Sequence, residues 1–330
     1  MTILASGFHR PLRRLPSTLI GLEVEPRINF FLVNHPQVRR RLYRSSAVPG
    51  VQATGSVLLP SIHYRAGMGH RVSSWISAFL LSRKYGVPLV RLPWRDDWDT
   101  FLGLDEEPLW TPEHGRVCLL PPVGRQGDLP GEQLFDDLMA RNLGRPVTLR
   151  LPLDPFSFDQ SGAFGELARR YWQRHTRPER GRAVRVSVHV RRGDVTSANG
   201  ERFRGLEYFE RQARAVVGVL DDLSMPWKGL IHSQGSGSEL EPLLDAGFQL
   251  GGASSEFEDF HEMACSDVLI ASPSSFSMTA GMISGGAVLR PRQWYHALPA
   301  DDRWVGTEND GSLDDEDLRK AVHTVCARIG

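Results

Sequence analysis

Residues 184–195 read VRVSVHVRRGDV. Val184, Val186, Val188 and Val190 alternate with Arg185, Ser187, His189 and Arg191, and Arg192, Gly193 and Asp194 follow. A period of two puts the valines on one face of a strand and His189 with Arg191 on the other. In open α/β sheets ligands bind beyond the carboxyl ends of the strands. His189, Arg191, Arg192 and Asp194 fall there, and a guanidinium held in place can grip a phosphate at two points. By composition alone the same pattern also fits a strand that ends in solvated charge.

A second chemical candidate is ASPSSFSMTAGMISGG, residues 271–286. The apolar run DVLIAS ends, Pro273 follows, and Ser274 or Ser275 stands at a helix start. Serine is a strong N-cap residue, and the unpaired N–H groups of a helix start favour an anion. Simple helix capping is the alternative. A third is AGMGHR, residues 66–71, where Gly67 and Gly69 sit between a strand and a helix and suit a tight turn or a close backbone approach. Val72 stands where a dinucleotide fingerprint wants a third glycine, so that motif fails, and no phosphate-binding loop of the Walker type is present.

Two further patterns carry less. Asp97 and Asp99 in RDDWD match a D-x-D metal pattern, but the spacing is common and lies in the first half, away from the other signals. His232 and His261 have no ligand spacing and read as satisfied polar residues rather than metal ligands.

The elements that must position these residues follow from apolar periodicity. SVLLPSIHYR (56–65) reads as a buried strand, VSSWISAFLLSRKYG (72–86) as a helix with Val72, Trp75, Ile76, Phe79 and Leu80 at helical spacing, and VPLVRLP (87–93) as the next strand. That is a βαβ unit, hence a parallel sheet. Residues 103–160 give no clear assignment. Helices are expected at 165–176, 206–220, around SELEPLLDAG, at 257–267 and at 274–286. Strands are expected at 184–190, 227–233, FQLGG and DVLIAS, with AVLRP (287–291) as the last. The chain therefore reads as two α/β units with a seam near 150–180.

Composition sets the limits. The 330 residues are 41% hydrophobic and 24% charged with a formal net charge of zero, so no bulk field recruits nucleic acid or anionic membrane. Of 39 lysines and arginines only Lys84, Lys228 and Lys320 are lysine. Cys118, Cys265 and Cys326 are far apart and odd in number, which suggests neither a disulfide framework nor a zinc site and fits a reducing compartment. The first residues show no apolar core of a signal peptide and no span, so a cytoplasmic location is expected.

The motifs together resemble a known family. HVRRGD (189–194) after its valine strand resembles the H-x-R-R-x-D motif of the α1,2-, α1,6- and protein O-fucosyltransferase superfamily. EDFHEMACSDVLIASPSSFSMTAG (258–281) is similar to that superfamily's second donor-binding segment, with Asp259, Asp267 and Ser275 at the matching spacing. GMGHRVSSWISAFLLSRKYGVPLV (67–90) looks like its glycine-turn and helix segment. The resemblance implies a GT-B fold of two Rossmann-like domains facing across a cleft, an N-terminal domain at 1–165 on the acceptor side and a GDP-sugar-binding domain at 166–330. It implies inverting transfer from GDP-fucose to a glycan or other hydroxyl acceptor, with no cofactor and no metal. Another GDP-sugar, or a silent binding protein of the same fold, are the alternatives. On this resemblance Arg191 holds the β-phosphate, His189 lies against the donor, Asp259 accepts from the guanine, and Ser274, Ser275 and the N–H of Phe276 bind phosphate. Gly67, Gly69 and His70 line the cleft from the first domain. Asn199 stands where relatives that use a base carry an acid, so Glu201, two residues on, is the candidate base, and Asp194 is expected to orient Arg192 or the turn.

Overall fold

The computed structural model describes residues 55–61, 66–94, 96–114, 116–119, 146–151, 160–179, 181–200, 202–252, 255–292 and 298–328. Its contacts divide the chain into two compact units. One holds Met1–Ala66, Ser73–Asp96 and Asp105–Ser157; the other holds Gly67–Val72, Asp97–Leu104 and Phe158–Gly330. A single cut near residue 165, as expected from the sequence, does not reproduce this division, because two short N-terminal stretches pack with the C-terminal half.

Within the described part of the first unit, β1 (Val57–Leu59), β2 (Arg116–Leu119) and β3 (Val147–Arg150) form a parallel sheet in the order β1-β3-β2. The strand expected at 87–93 is reduced to two bridges, Leu58 with Leu89 and Arg91 with Leu109. Pro88 and Pro93 lack the N–H that would extend the pairing. Helix α1 (Met68–Tyr85) starts earlier than its apolar stripe suggests, so Gly69 lies in its first turn rather than in a loop. It ends before Gly86, whose φ of +65° is the left-handed value that favours glycine after a helix. The first turn belongs to the second unit and the remainder to the first.

The second unit is built on six parallel strands. They are β4 (Val184–Val190), β5 (Trp227–Ser233), β6 (Phe248–Leu250), β7 (Val268–Ile270), β8 (Ala287–Pro291) and β9 (Trp304–Thr307). Their order is β6-β5-β4-β7-β8-β9. The chain builds outward from β4 to β6, returns, and builds the other way from β7. That is the doubly wound order, and its switch point lies between β4 and β7. The helices are α2 (Trp98–Phe101), α3 (Phe164–Arg174), α4 (Leu206–Asp222), α5 (Glu241–Asp245), α6 (Glu256–Ala264), α7 (Ser275–Ile283) and α8 (Asp315–Cys326).

The valine face of β4 is buried as its alternation demands, in a core shared with Phe209, Ala213, Val216 and Leu220 of α4 and with Leu318 and Val322 of α8. Strands of a parallel sheet are covered on both faces, and the other side of this one is met by α3, α6 and α7, which pack on one another. β9 and α8 extend the domain beyond β8, the strand expected to be last. Asp314 caps α8 by accepting from the N–H groups of Glu316 and Asp317.

Candidate functional site at the switch point

β4 and β7 are adjacent, and both strands end at the same edge of the sheet. Beyond the last ladder pair, Ser272 continues the connection through its side chain. Its Oγ donates to the His189 carbonyl at 2.6 Å and accepts from the Arg191 N–H at 2.9 Å. Pro273 follows, and Ser274 in extended backbone caps α7, its Oγ accepting from the Phe276 N–H at 3.3 Å.

Arg191 meets that cap. Its Nη1 donates to Ser274 Oγ at 3.0 Å, while Nε and Nη2 donate to the two oxygens of Asp194 at 3.1 and 2.6 Å. The carboxylate therefore holds the guanidinium like a fork, flat against the start of α7. The bond from Arg191 is the main reason that the Asp194 carboxyl lies below the usual carboxylate range. Gly193 makes the turn between them: its φ is +79°, and a Cβ there would collide with the Gln234 side chain. Asp194 was expected to orient Arg192 or the turn; it closes the turn by holding Arg191, and it does not hold Arg192. Arg192 is buried, donates to the carbonyls of Arg191 and Arg204 at 3.0 and 3.2 Å, and stacks 4.6 Å over Phe203.

The surroundings are electropositive. Burial first, then the nearby His232 and the Arg191 charge, push the His189 imidazole down to about 3. Its Nδ1 is buried without a hydrogen-bond partner, and its ring lies 5.8 Å from that of Phe276. His70 is pushed down to about 4 by burial and then by the charges of Arg202 and Arg191. Two imidazoles without charge at neutral pH, beside fixed guanidinium groups and a helix N-terminus, leave a site that favours an anion.

The glycine segment reaches the same helix. A Cβ on Gly69 would overlap Ser275, both its Cβ and its backbone, so only glycine allows α1 to start there. Gly67 is exposed, and its carbonyl accepts from the N–H of His70 at 3.1 Å. Gly67, Gly69 and His70 thus belong to the C-terminal unit, not to the first domain as expected.

RDDWD is corrected in the same way. Asp97–Leu104 belong to the second unit. Asp97 is exposed at the start of α2, while Asp99 is buried and accepts from the Thr100 N–H at 3.0 Å. Between them, Trp98 packs on Phe257, Phe260 and Phe276 at ring distances of 4.4, 5.4 and 5.7 Å and donates to Glu256 Oε1 at 3.1 Å. The segment's structural part is to seat this tryptophan against α6 and α7.

Asp259 lies in the first turn of α6, and its Oδ1 is 2.9 Å from Nδ1 of His232 on β5. Nε2 of His232 is 3.3 Å from Ser187 Oγ on β4. Glu262 Oε2 lies 3.8 Å from the same Nδ1. Donor atoms of His232, Asp259 and Glu262 fall within 4.8 Å of one another, a set that a cation could use. His261 is satisfied by Tyr171 Oη at 2.7 Å and faces Cys265 Sγ at 3.5 Å. Glu201, the candidate base, lies outside the described residues, as does the side chain of Asn199.

Of the residues singled out in the sequence, the structure brings Arg191, His189, Ser274, Phe276 and Asp259 to neighbouring strand ends and helix starts. Sequence reasoning missed Ser272, Trp98, Arg202 and the link from Ser187 through His232 to Asp259. Ser272, as the residue before Pro273 at a strand end, was the one of these with a local signal.

No protein-family model matches the chain, and no curated protein matches it. Among solved structures it is similar to NodZ α-1,6-fucosyltransferase soaked with GDP-fucose, at 14% identity over 78% of this chain and 98% of that one, with a TM-score of 0.39. The NodZ fucosyltransferase from Bradyrhizobium in selenomethionine form gives 14%, 78%, 98% and 0.38. POFUT1 in complex with GDP-fucose gives 10% identity over 70% of this chain and 94% of that one, with a TM-score of 0.37.

Proposed function

We propose that the chain is an inverting glycosyltransferase that moves fucose from GDP-fucose to a hydroxyl of a glycan or related acceptor without a metal. The observation that carries this reading is the Arg191 fork, held by Asp194 and set against the N-cap Ser274 at the switch point of the sheet. In the transfer, the bond between the sugar's anomeric carbon and the β-phosphate oxygen breaks while the acceptor oxygen attacks from the opposite face. Negative charge grows on the departing diphosphate. Arg191 and the N–H groups at the start of α7 answer that charge with preorganised donors. Ser275 takes a remaining phosphate oxygen, the Phe276 N–H steadies the Ser274 hydroxyl beside it, and His189 and His70, free of charge at neutral pH, flank the donor. Gly67 and Gly69 line the donor site beside the start of α7, Asp259 accepts from the guanine, and Glu201 takes the acceptor's proton.

The test is a thermal-shift panel of GDP, UDP, ADP, CMP and NAD. A ligand at a hundred times its Kd stabilises the native state by about 2.7 kcal/mol. GDP alone is expected to raise the unfolding midpoint, and a rise with NAD and none with GDP overturns the reading. GDP release from GDP-fucose against GDP-mannose, with and without EDTA, then reads the sugar and the metal independence.

A further inference from the structure

His232 is one of the most enclosed polar side chains at this end of the sheet, 1% exposed. It stands on β5 directly across from His189 on β4. It touches two partners of different kind, Ser187 Oγ through Nε2 and Asp259 Oδ1 through Nδ1.

One of those partners fixes a role. A carboxylate oxygen can only accept, so Nδ1 carries a proton and donates to Asp259. Nε2 lies 3.3 Å from the Ser187 hydroxyl, which is buried at 3% exposure and can serve it as donor or acceptor. The hydrogen-bonded chain links Ser187, His232 and Asp259 and ends on a carboxylate that is 37% exposed. Asp259 is thus held by one oxygen from below, while its other oxygen has no hydrogen-bond partner among the described residues.

Gly251 lies beside the ring: a Cβ there would stand 3.3 Å from the His232 Nδ1. Glu262, also on α6, leaves a buried Oε2 without a hydrogen bond, 3.8 Å from the same Nδ1. The ring donates to Asp259 and not to this second acid, which selects one of two carboxylates on one helix.

We propose that His232 is a positioning residue that fixes Asp259 as a two-point acceptor for the N1–H and 2-amino edge of the donor's guanine. This inference rests on the GDP-sugar reading. It adds that base choice depends on a buried residue that never touches the nucleotide. A carboxylate free to rotate accepts equally well from many donors. One whose rotation is stopped can reward two parallel N–H groups and penalise a base that presents one.

The experiment is calorimetric titration of the full chain with GDP, IDP and ADP; IDP lacks only the 2-amino group. Wild type is expected to prefer GDP over IDP by about tenfold or more, the range of one hydrogen bond to a charged group. Asp259→Asn is expected to remove the preference. His232→Phe, with no donor, is expected to bring GDP and IDP within about twofold of each other. His232→Asn, whose amide N–H sits where Nδ1–H does, is expected to restore the preference to within about threefold of wild type. Loss of fold alone would weaken both nucleotides together and would not move their ratio. If wild type binds no GDP, the donor reading itself fails. If wild type and Asp259→Asn behave as stated but His232→Phe keeps the full GDP preference, the positioning inference is overturned and the donor reading stands.

Discussion

Arg191 donates to both oxygens of Asp194 and to the hydroxyl of Ser274. Such a fork does more than place a charge. Arg191→Ala is expected to lower turnover by about a hundredfold to a thousandfold, as for the loss of one preorganised oxyanion donor. Arg191→Lys keeps the charge but not the planar fork and should fall well short of wild type. Measured GDP release near the wild-type rate in the alanine variant would remove Arg191 from the site. The two imidazoles give a pH signature. Burial holds His189 down to about 3 and His70 to about 4, against about 6.5 in an unfolded chain. As pH falls below about 6.5, the unfolded chain takes up protons that the folded chain refuses, so the fold loses stability until the folded values are reached. The urea midpoint is therefore expected to drop between about pH 7 and about pH 5, and His189→Gln should flatten that slope. Arg191, His189 and Ser274 were legible in the sequence because strand alternation and helix capping are local. His232 was not, since what it does depends on which strand lies beside β4 and which helix crosses above it.

Helix α7 carries its role in its first turn. Ser274→Ala removes the cap and the anchor of Arg191 together, and should cost about 1 kcal/mol for the cap in denaturant unfolding. GDP affinity should fall in the same variant. Gly69 offers a sharper test, because two effects oppose. Alanine in a helix is worth up to about 1 kcal/mol over glycine. Here the added methyl would overlap Ser275. Overpacking of this kind costs about 1–3 kcal/mol, so Gly69→Ala is expected to lower the unfolding midpoint and weaken GDP binding. A higher midpoint with unchanged binding would refute the close approach. At this level the sequence announced helices by their apolar stripes: Phe209, Ala213, Val216 and Leu220 lie on one face of α4 and are buried together. It overstated the strand at 87–93, where apolar residues suggested pairing that two prolines interrupt. It also underread RDDWD, whose tryptophan matters through contacts with residues far along the chain.

The six-stranded order β6-β5-β4-β7-β8-β9 is the feature that makes one end of one strand pair special. Alternating strands and helices in the second half foretold a parallel sheet, but not which strands would be central. Order is decided by crossover handedness and by which faces the helices must cover, and neither is written in any one segment. β9 is four residues long, with Asp301 and Asp302 just before it. Its short polar setting hid it, and with it the helix that completes the core. No helix among the described residues is long and apolar enough to cross a membrane.

The Ser272 hydroxyl that joins the ends of β4 and β7 has a consequence for amide exchange with solvent. The Arg191 N–H is tied to a side chain, beyond the last rung of the ladder. Its strands are the innermost pair of the sheet, so this amide can exchange only when the centre of the domain opens. Its protection should then match the global unfolding free energy rather than that of a loop. In Ser272→Ala the same amide should exchange at the faster rate of local fraying, while those of Val186 and Val188 stay slow. The floor beneath the arginine would then be as long-lived as the fold itself.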